Sequence, residues 1–112
     1  MTVAYILDDD PHVRTTVFHV LANVGYEVHD FSSSEPMLAR LATAPPDILV
    51  LDLALGQSDA IEVMRRLAAL KYSGKVLLIS GHDETLLGEV QRIGERHQLA
   101  MLASLCKPFR AK

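Results

Sequence analysis

Carboxylates follow two apolar runs of the sequence, at the point where each run ends. Three consecutive aspartates, residues 8–10, come directly after the apolar residues 3–7, and Asp52 follows the apolar residues 48–51. An apolar run that ends in a charged residue is typical of a buried parallel strand whose carboxyl end meets solvent. Carboxylates that converge at such an edge repel one another, and a bound cation offsets the repulsion. The sequence therefore predicts a cation site with Asp52 as one ligand.

Asp10 has a simpler role than its neighbours. It stands directly before Pro11, and aspartate is a preferred N-cap residue while proline suits the first turn of a helix. We therefore assign Asp10 to capping a helix and leave Asp8 and Asp9 for the cation. Capping alone does not explain why these two residues and Asp52 should converge.

Two further apolar runs end in residues with useful chemistry. Residues 76–79 lead to Ser80, and residues 99–106 lead to Lys107. Taken singly, Ser80 could cap a helix and Lys107 could be an ordinary surface lysine. If all four runs are parallel strands of one sheet, however, their carboxyl ends form one edge that carries carboxylates, a hydroxyl and an ammonium.

The segments between these runs have the pattern of helices. Val13 and Val17 begin a helical spacing that lasts until Gly25, and similar patterns follow the later runs. Residues 27–31 alternate in polarity, which favours a strand nearer a sheet edge. Alternating strands and helices indicate the α/β class. With 112 residues and 49% hydrophobic content, the chain can bury one core, so we expect one domain over residues 1–112.

Composition argues against several classes of partner. The formal net charge is −3 and the 11 lysine and arginine residues are scattered, so no basic stripe for nucleic acid or an anionic membrane is present. The longest apolar stretch, residues 99–106, is far too short to span a bilayer. Met1 leads directly into a strand without a basic signal-peptide head. We therefore expect a cytoplasmic protein.

Four segments together resemble the receiver domains of two-component response regulators, over essentially the whole chain. In chain order they are similar to the acidic pocket, the phosphoacceptor strand, the hydroxyl segment and the closing lysine motif of that family. The segments are Asp8-Asp9-Asp10-Pro11, Pro46-Asp47-Ile48-Leu49-Val50-Leu51-Asp52-Leu53, Ser80-Gly81 and Lys107-Pro108-Phe109. The resemblance implies a flavodoxin-like (CheY-like) fold with a five-stranded parallel sheet in the order 2-1-3-4-5.

The same resemblance assigns roles to the acidic residues. Asp52 would be the phosphoacceptor, a carboxylate nucleophile that takes a phosphoryl group from phosphohistidine. Mg²⁺ would be bound directly by Asp9, Asp52 and the backbone carbonyl of Ala54, while Asp8 would act through water.

The resemblance also implies roles for the Ser80 hydroxyl and the Lys107 ammonium. Lys107 would place a positive charge near the phosphoryl oxygens, and the Ser80 hydroxyl would donate to one of them as the sensor of phosphorylation.

The chain departs from the family pattern near these residues. Many family members carry an aromatic switch residue where this chain has Ser104. Ser80 and Lys107 are 27 positions apart, longer than the common family spacing by more than one helical turn. This stretch is similar to receivers fused to cyclic-di-GMP phosphodiesterase domains of the EAL type.

Two other departures concern the loop after Asp52 and the end of the chain. Gly56 and Ala60 stand where family members usually carry proline and glycine, which predicts a loop of different shape. Only residues 110–112 follow Phe109, too few for the family's fifth helix. We therefore expect the final helix to be absent from this chain and the sequence to be cut from a longer protein with a C-terminal effector domain.

The function implied is a signalling module that receives its phosphoryl group from a histidine kinase or a phosphotransfer protein and relays it by conformational change. Such a module is no enzyme with turnover on an external metabolite, and its only chemistry is self-phosphorylation and slow self-dephosphorylation. Because the aromatic switch and the fifth helix are both missing, we predict a homodimer that forms through helix four and strand five. Leu86, Val90 and Ile93 would lie near the uncovered face.

Three alternatives come from other classes of protein. A Mg²⁺-dependent phosphatase of the haloacid-dehalogenase type also places its nucleophile after a strand, but it needs a second aspartate two residues later, where this chain has Ala54 after Asp52. Asp8 and Asp10 have the required spacing, but the chain lacks the extra segment that would form a substrate cap. A phosphorylation-independent interaction domain would not need the intact acidic set. A flavodoxin-like nucleotide binder needs a phosphate-binding loop after the first strand, where residues 8–10 would repel phosphate.

Overall fold

Strands alternate with helices along the chain, as the sequence predicts. The computed structural model describes residues 2–53, 57–80, 84–102 and 105–106, and of residues 57–59, 80, 84–86, 105 and 106 it describes the backbone. The strands are β1 (Val3–Leu7), β2 (Glu27–Phe31), β3 (Ile48–Asp52), β4 (Lys75–Ser80), β5 (Ala100–Met101) and β6 (Leu105–Cys106). The helices are α1 (Pro11–Val24), α2 (Ser34–Thr43), α3 (Gln57–Ala69) and α4 (Glu84–Arg96).

The strands form one parallel sheet in the order β2-β1-β3-β4-β5. β6 also pairs with β4, nearer the carboxyl end, so β5 and β6 share the fifth strand position. The predicted five-stranded order 2-1-3-4-5 is therefore confirmed. β2 lies at an edge of the sheet, as its alternating sequence indicates.

The fifth strand position contains one residue more than the strand beside it. Met101 pairs with Val76 and Cys106 pairs with Ser80, so the chain advances five residues while β4 advances four. The register against β4 therefore differs by one residue between β5 and β6.

Helices cover both faces of the sheet. On one face α2, α3 and α4 enclose a core that includes Leu38, Leu51, Met64 and Val90. On the other face α1 packs around a smaller core made of Ile6, Val17, Val50 and Ile79. Because β3 contributes to both cores, all its residues are buried, as expected for a central parallel strand. None of the described helices is long and apolar enough to cross a bilayer.

Helix α1 begins and ends where the sequence predicts. The Asp10 side chain accepts the backbone N–H groups of His12 at 2.9 Å and Val13 at 3.4 Å, and Pro11 is the first helical residue. Gly25 ends the helix with a φ of 108°, a left-handed conformation that glycine adopts without steric cost. Asp10 is therefore a helix cap, as predicted.

Helix α4 packs more deeply than the sequence analysis expects. Val90 has no exposed surface, and Ile93 is partly buried against the core. Gly94 lies so close to Met101 that a β-carbon would overlap the thioether. Val90 therefore holds α4 on the sheet, and the prediction that it lies on a self-association surface is wrong. The side chain of Leu86 lies outside the described residues, and the homodimer itself stays a prediction.

Ala60 does not occupy a strained loop. It lies in α3 and is fully buried. A helical backbone suits alanine, so no left-handed conformation is needed where family members usually carry glycine. Gly56, the other departure in this segment, lies outside the described residues.

The amino-terminal end of the sheet is closed by paired polar groups. The Tyr72 hydroxyl donates to the carbonyl of Pro46 at 3.0 Å, and the Tyr5 hydroxyl donates to the carbonyl of Ala44 at 2.5 Å. Asp47, which precedes β3, accepts a backbone N–H of β1 at 2.7 Å. These bonds join the starts of β1, β3 and β4 to the end of α2.

Candidate functional site

Three carboxylates meet at the carboxyl-terminal edge of the sheet. β1 and β3 are adjacent and parallel, and Leu7 pairs with Leu51, so the next residues, Asp8 and Asp52, lie level with each other. One carboxylate oxygen from each of Asp8, Asp9 and Asp52 lies within 4.8 Å of the other two. The structure thus brings together the three aspartates that the sequence analysis singles out.

The three carboxylates differ in exposure. Asp8 and Asp52 are both 0% exposed, whereas Asp9 reaches solvent. Burial of a carboxylate is unfavourable unless other groups compensate its charge. Two carboxylates a few ångströms apart also repel each other by roughly 4 kcal/mol at an effective dielectric near 20. A divalent cation would relieve both effects, and an all-oxygen set of carboxylate ligands suits Mg²⁺.

Asp8 is held at both its main chain and its side chain. Its N–H donates to the carbonyl of Phe31 at the end of β2, at 3.1 Å. Its carboxylate accepts the backbone N–H of Asp10 at 2.9 Å. Its carbonyl accepts the guanidinium of Arg14 at 2.9 Å. The turn between β1 and α1 therefore fixes this carboxylate toward Asp52.

The strands that precede the predicted hydroxyl and ammonium run toward the same edge of the sheet. Ile79 pairs with Asp52, so Ser80, the last residue of β4, continues toward the acidic residues. Cys106 pairs with Ser80 and ends β6. Four predicted features lie outside the described residues, namely the side chain of Ser80 and the whole of Ala54, Ser104 and Lys107. Their roles stay predictions.

Arg14 belongs to the surroundings of the site, and it is not among the residues predicted from the sequence. Its Nη1 donates to the carbonyl of Asp8, and its Nε donates to Asp30 of β2 at 3.0 Å. The available signal was its position four residues after the cap Asp10, which places it on the same side of α1, one turn further on. The choice of hydrogen-bond partners depends on how α1 packs on the sheet.

Comparison with known proteins gives one consistent result. The family model described as the response regulator receiver domain matches residues 4–112. The alkaline phosphatase synthesis transcriptional regulatory protein PhoP of Bacillus subtilis is 33% identical over 79 residues, which cover 70% of this chain and 33% of that protein. Sporulation initiation phosphotransferase F of the same organism is 25% identical over 104 residues, which cover 93% of this chain and 80% of that protein.

A solved structure agrees with these relatives. The crystal structure of a response regulator from Colwellia psychrerythraea matches with a TM-score of 0.86 and 28% identity, over 97% of this chain and 86% of that chain. The similarity in three dimensions therefore extends over nearly the whole of both chains.

Proposed function

This chain belongs to the family of response regulator receiver domains, and we propose that Asp52 is its phosphoacceptor, with Mg²⁺ as its cation. The observation that carries the proposal is the convergence of three carboxylates, two of them fully buried, at one edge of the sheet. Structural capping accounts for Asp10 but not for this cluster. A site that binds a cation and receives a phosphoryl group accounts for all three.

Asp52 supplies the nucleophile. One of its carboxylate oxygens forms a bond to the phosphorus of a phosphohistidine while the phosphorus–nitrogen bond breaks. The imidazole nitrogen leaves with the electron pair and takes up a proton, and the product is an aspartyl phosphate. The divalent cation, when bound, supplies positive charge that offsets the carboxylates and the incoming phosphoryl oxygens.

The remaining residues bind and orient. Asp9 and Asp52 would hold the cation directly together with the backbone carbonyl of Ala54, and Asp8 would act through water. Lys107 and the Ser80 hydroxyl bind the phosphoryl oxygens in the predicted arrangement. The segments that carry this lysine and this serine lead to the acidic edge, which supports both assignments.

The module acts with partners. We propose a histidine kinase or a phosphotransfer protein as the phosphate source, with self-phosphorylation from small donors and slow self-dephosphorylation as the only chemistry of the chain itself. The PhoP regulator extends well beyond its matched region, which supports the proposal that a C-terminal effector domain reads out the phosphorylation. The family match gives no support to the phosphatase alternative.

Intact mass after treatment with acetyl phosphate tests this function. Wild type is expected to gain one phosphoryl group with Mg²⁺ and none when the metal is chelated. Asp47→Asn is a matched control, because Asp47 lies next to the opposite end of the same strand. This variant is expected to label like wild type, whereas Asp52→Asn is expected to gain nothing. Equal labelling of Asp52→Asn and wild type would refute the assignment.

A further inference from the structure

Arg14 connects three elements behind the acidic edge. It projects from the first part of α1, its Nη1 binds the carbonyl of Asp8 in the turn after β1, and its Nε binds the carboxylate of Asp30 on β2. Its side chain is only 22% exposed. The guanidinium therefore lies between the helix, the acidic turn and the edge strand.

The carbonyl that Arg14 holds is well placed to control the site. It belongs to the peptide group that joins Asp8 to Asp9, so its orientation fixes the direction in which the chain leaves the first carboxylate and reaches the second. The other contacts of this turn fix the Asp8 N–H and the Asp8 carboxylate. Arg14 supplies the hydrogen bond that holds the peptide group between the two acidic residues.

The carboxylate of Asp30 fixes the guanidinium of Arg14. Asp30 lies on β2 and pairs with Ile6 of β1, and Ile6 is two residues before Asp8. The Asp30 carboxylate accepts the Nε of Arg14, while Nη1 remains directed at the carbonyl. Two donors in a fixed planar arrangement are a property of arginine, and a lysine ammonium is a single charge on a flexible stem.

We propose that Arg14 is a positioning residue for the cation site, which it serves by fixing the peptide between Asp8 and Asp9, with Asp30 as the residue that fixes Arg14 in turn. This inference rests on the proposed function of the acidic cluster. Residues that orient metal ligands from outside the ligand set commonly affect metal affinity by tenfold or more.

Two simpler roles for Arg14 predict different results. If the ion pair with Asp30 only joins α1 to β2, loss of Arg14 lowers the melting temperature and leaves the affinity of the folded protein for Mg²⁺ unchanged. If Arg14 acts only through its charge, its removal strengthens binding, because a guanidinium repels a nearby cation. The positioning role predicts weaker binding, and it predicts that lysine does not restore the affinity.

The test is a calorimetric titration of the purified protein with Mg²⁺ alone, which measures the affinity for the metal. Melting temperatures are measured in parallel without metal. We expect Arg14→Met and Arg14→Lys each to weaken Mg²⁺ binding by about tenfold. Asp30→Asn is expected to weaken it by roughly two- to threefold, because the guanidinium keeps its bond to Asp8 but loses its own support. Arg65→Met is the control, since Arg65 forms an exposed ion pair with Glu62 on α3.

The outcomes separate the inference from the function on which it rests. Unchanged affinity in the Arg14 variants overturns the positioning role, and so does stronger binding by Arg14→Met. An Arg14→Lys variant with wild-type affinity also overturns it. If Arg14→Met does not fold, Arg14→Lys and Asp30→Asn provide the same test. Unchanged Mg²⁺ affinity in both of these variants overturns the positioning role. If wild type itself does not bind Mg²⁺, the proposed function fails, and this inference fails with it.

Discussion

The two ends of the sheet both carry polar side chains, but these side chains are arranged in different ways. At the amino-terminal end the Tyr72 hydroxyl donates to the carbonyl of Pro46, and Asp47 accepts an N–H of β1. Each of these contacts pairs a donor with an acceptor. At the carboxyl-terminal end, the fully buried carboxylates of Asp8 and Asp52 lie within 4.8 Å of each other and of a third. Three like charges are gathered there, although the Asp8 carboxylate also accepts the backbone N–H of Asp10.

This difference separates a structural end from a functional end. Paired polar groups are compatible with a stable fold, because each donor or acceptor that leaves water gains a partner in the protein. Gathered carboxylates raise the free energy of the metal-free protein, and a cation that binds them lowers it. One strand, β3, connects both environments, because Asp47 directly precedes it and Asp52 ends it. The same substitution at its two ends should therefore have opposite effects on stability.

The largest expected effect is at the structural end. Tyr72 is 6% exposed, and replacement of a buried aromatic residue by alanine costs about 3–5 kcal/mol. Tyr72→Ala should lower the free energy of unfolding by that amount, as measured by urea denaturation. Tyr26→Ala, at a half-buried tyrosine outside this network, should cost clearly less. Equal losses in the two variants would contradict the structural importance of the amino-terminal end.

The next effect concerns the functional end. At a Mg²⁺ concentration one hundred times the dissociation constant, binding to the folded state alone adds about 2.7 kcal/mol to the free energy of unfolding. The melting temperature of wild type should therefore rise with Mg²⁺, and that of Asp52→Asn should rise much less. Thermal denaturation at several metal concentrations measures both. A Tyr72→Phe variant keeps the whole acidic cluster, so its shift with Mg²⁺ should equal that of wild type.

A smaller pair of effects compares the two ends of β3 directly. Asp52→Asn should raise the metal-free free energy of unfolding by roughly 1 kcal/mol, because it removes one of three negative charges that lie within 4.8 Å of one another. Asp47→Asn should lower it by a similar or smaller amount, because a neutral amide oxygen accepts the N–H of β1 less strongly. Urea denaturation in the presence of a chelator measures both changes. Changes of the same sign in the two free energies of unfolding would contradict the distinction between the two ends of the sheet.

The smallest effect appears at alkaline pH. Burial, helped by the nearby Asp47 carboxylate, raises the pKa of the Tyr72 phenol above its ordinary value. The unfolded chain therefore loses this proton first as the pH rises, and the folded state loses stability, by roughly 0.4 kcal/mol near pH 10 and more above it. Tyr72→Phe should show a flatter decline in stability above about pH 9 than wild type. Identical declines would show that Tyr72 does not titrate in this way.

Much of the acidic edge was predictable from the sequence. The two apolar runs that end at Asp8 and Asp52 belong to strands, and the parallel arrangement of those strands brings their carboxyl ends together. The cap Asp10 and the stop at Gly25 followed from local backbone preferences. These features depend on neighbours in sequence or on the general geometry of parallel sheets.

Other features depend on tertiary packing and were not predictable. An apolar stripe on a helix shows that something covers it, but not whether the cover is the sheet or another chain, and for Val90 it is the sheet. The one-residue difference in register between β5 and β6 was not predictable either, because a short run that is apolar throughout does not fix its register to a single residue. The contacts of Arg14 with Asp8 and Asp30 depend on the angle at which α1 crosses β1 and β2.

The most direct test of the central claim locates the phosphoryl group. The protein is treated with acetyl phosphate and Mg²⁺ and then reduced with borohydride, which converts a phosphorylated aspartate to homoserine and leaves free aspartate unchanged. Peptide mass spectrometry then shows which residue has been converted. Conversion at Asp52 and at no other aspartate, and only with the divalent cation present, is the predicted result. Conversion at Asp8 or Asp9 with Asp52 unchanged, or conversion that does not depend on the metal, would contradict the account.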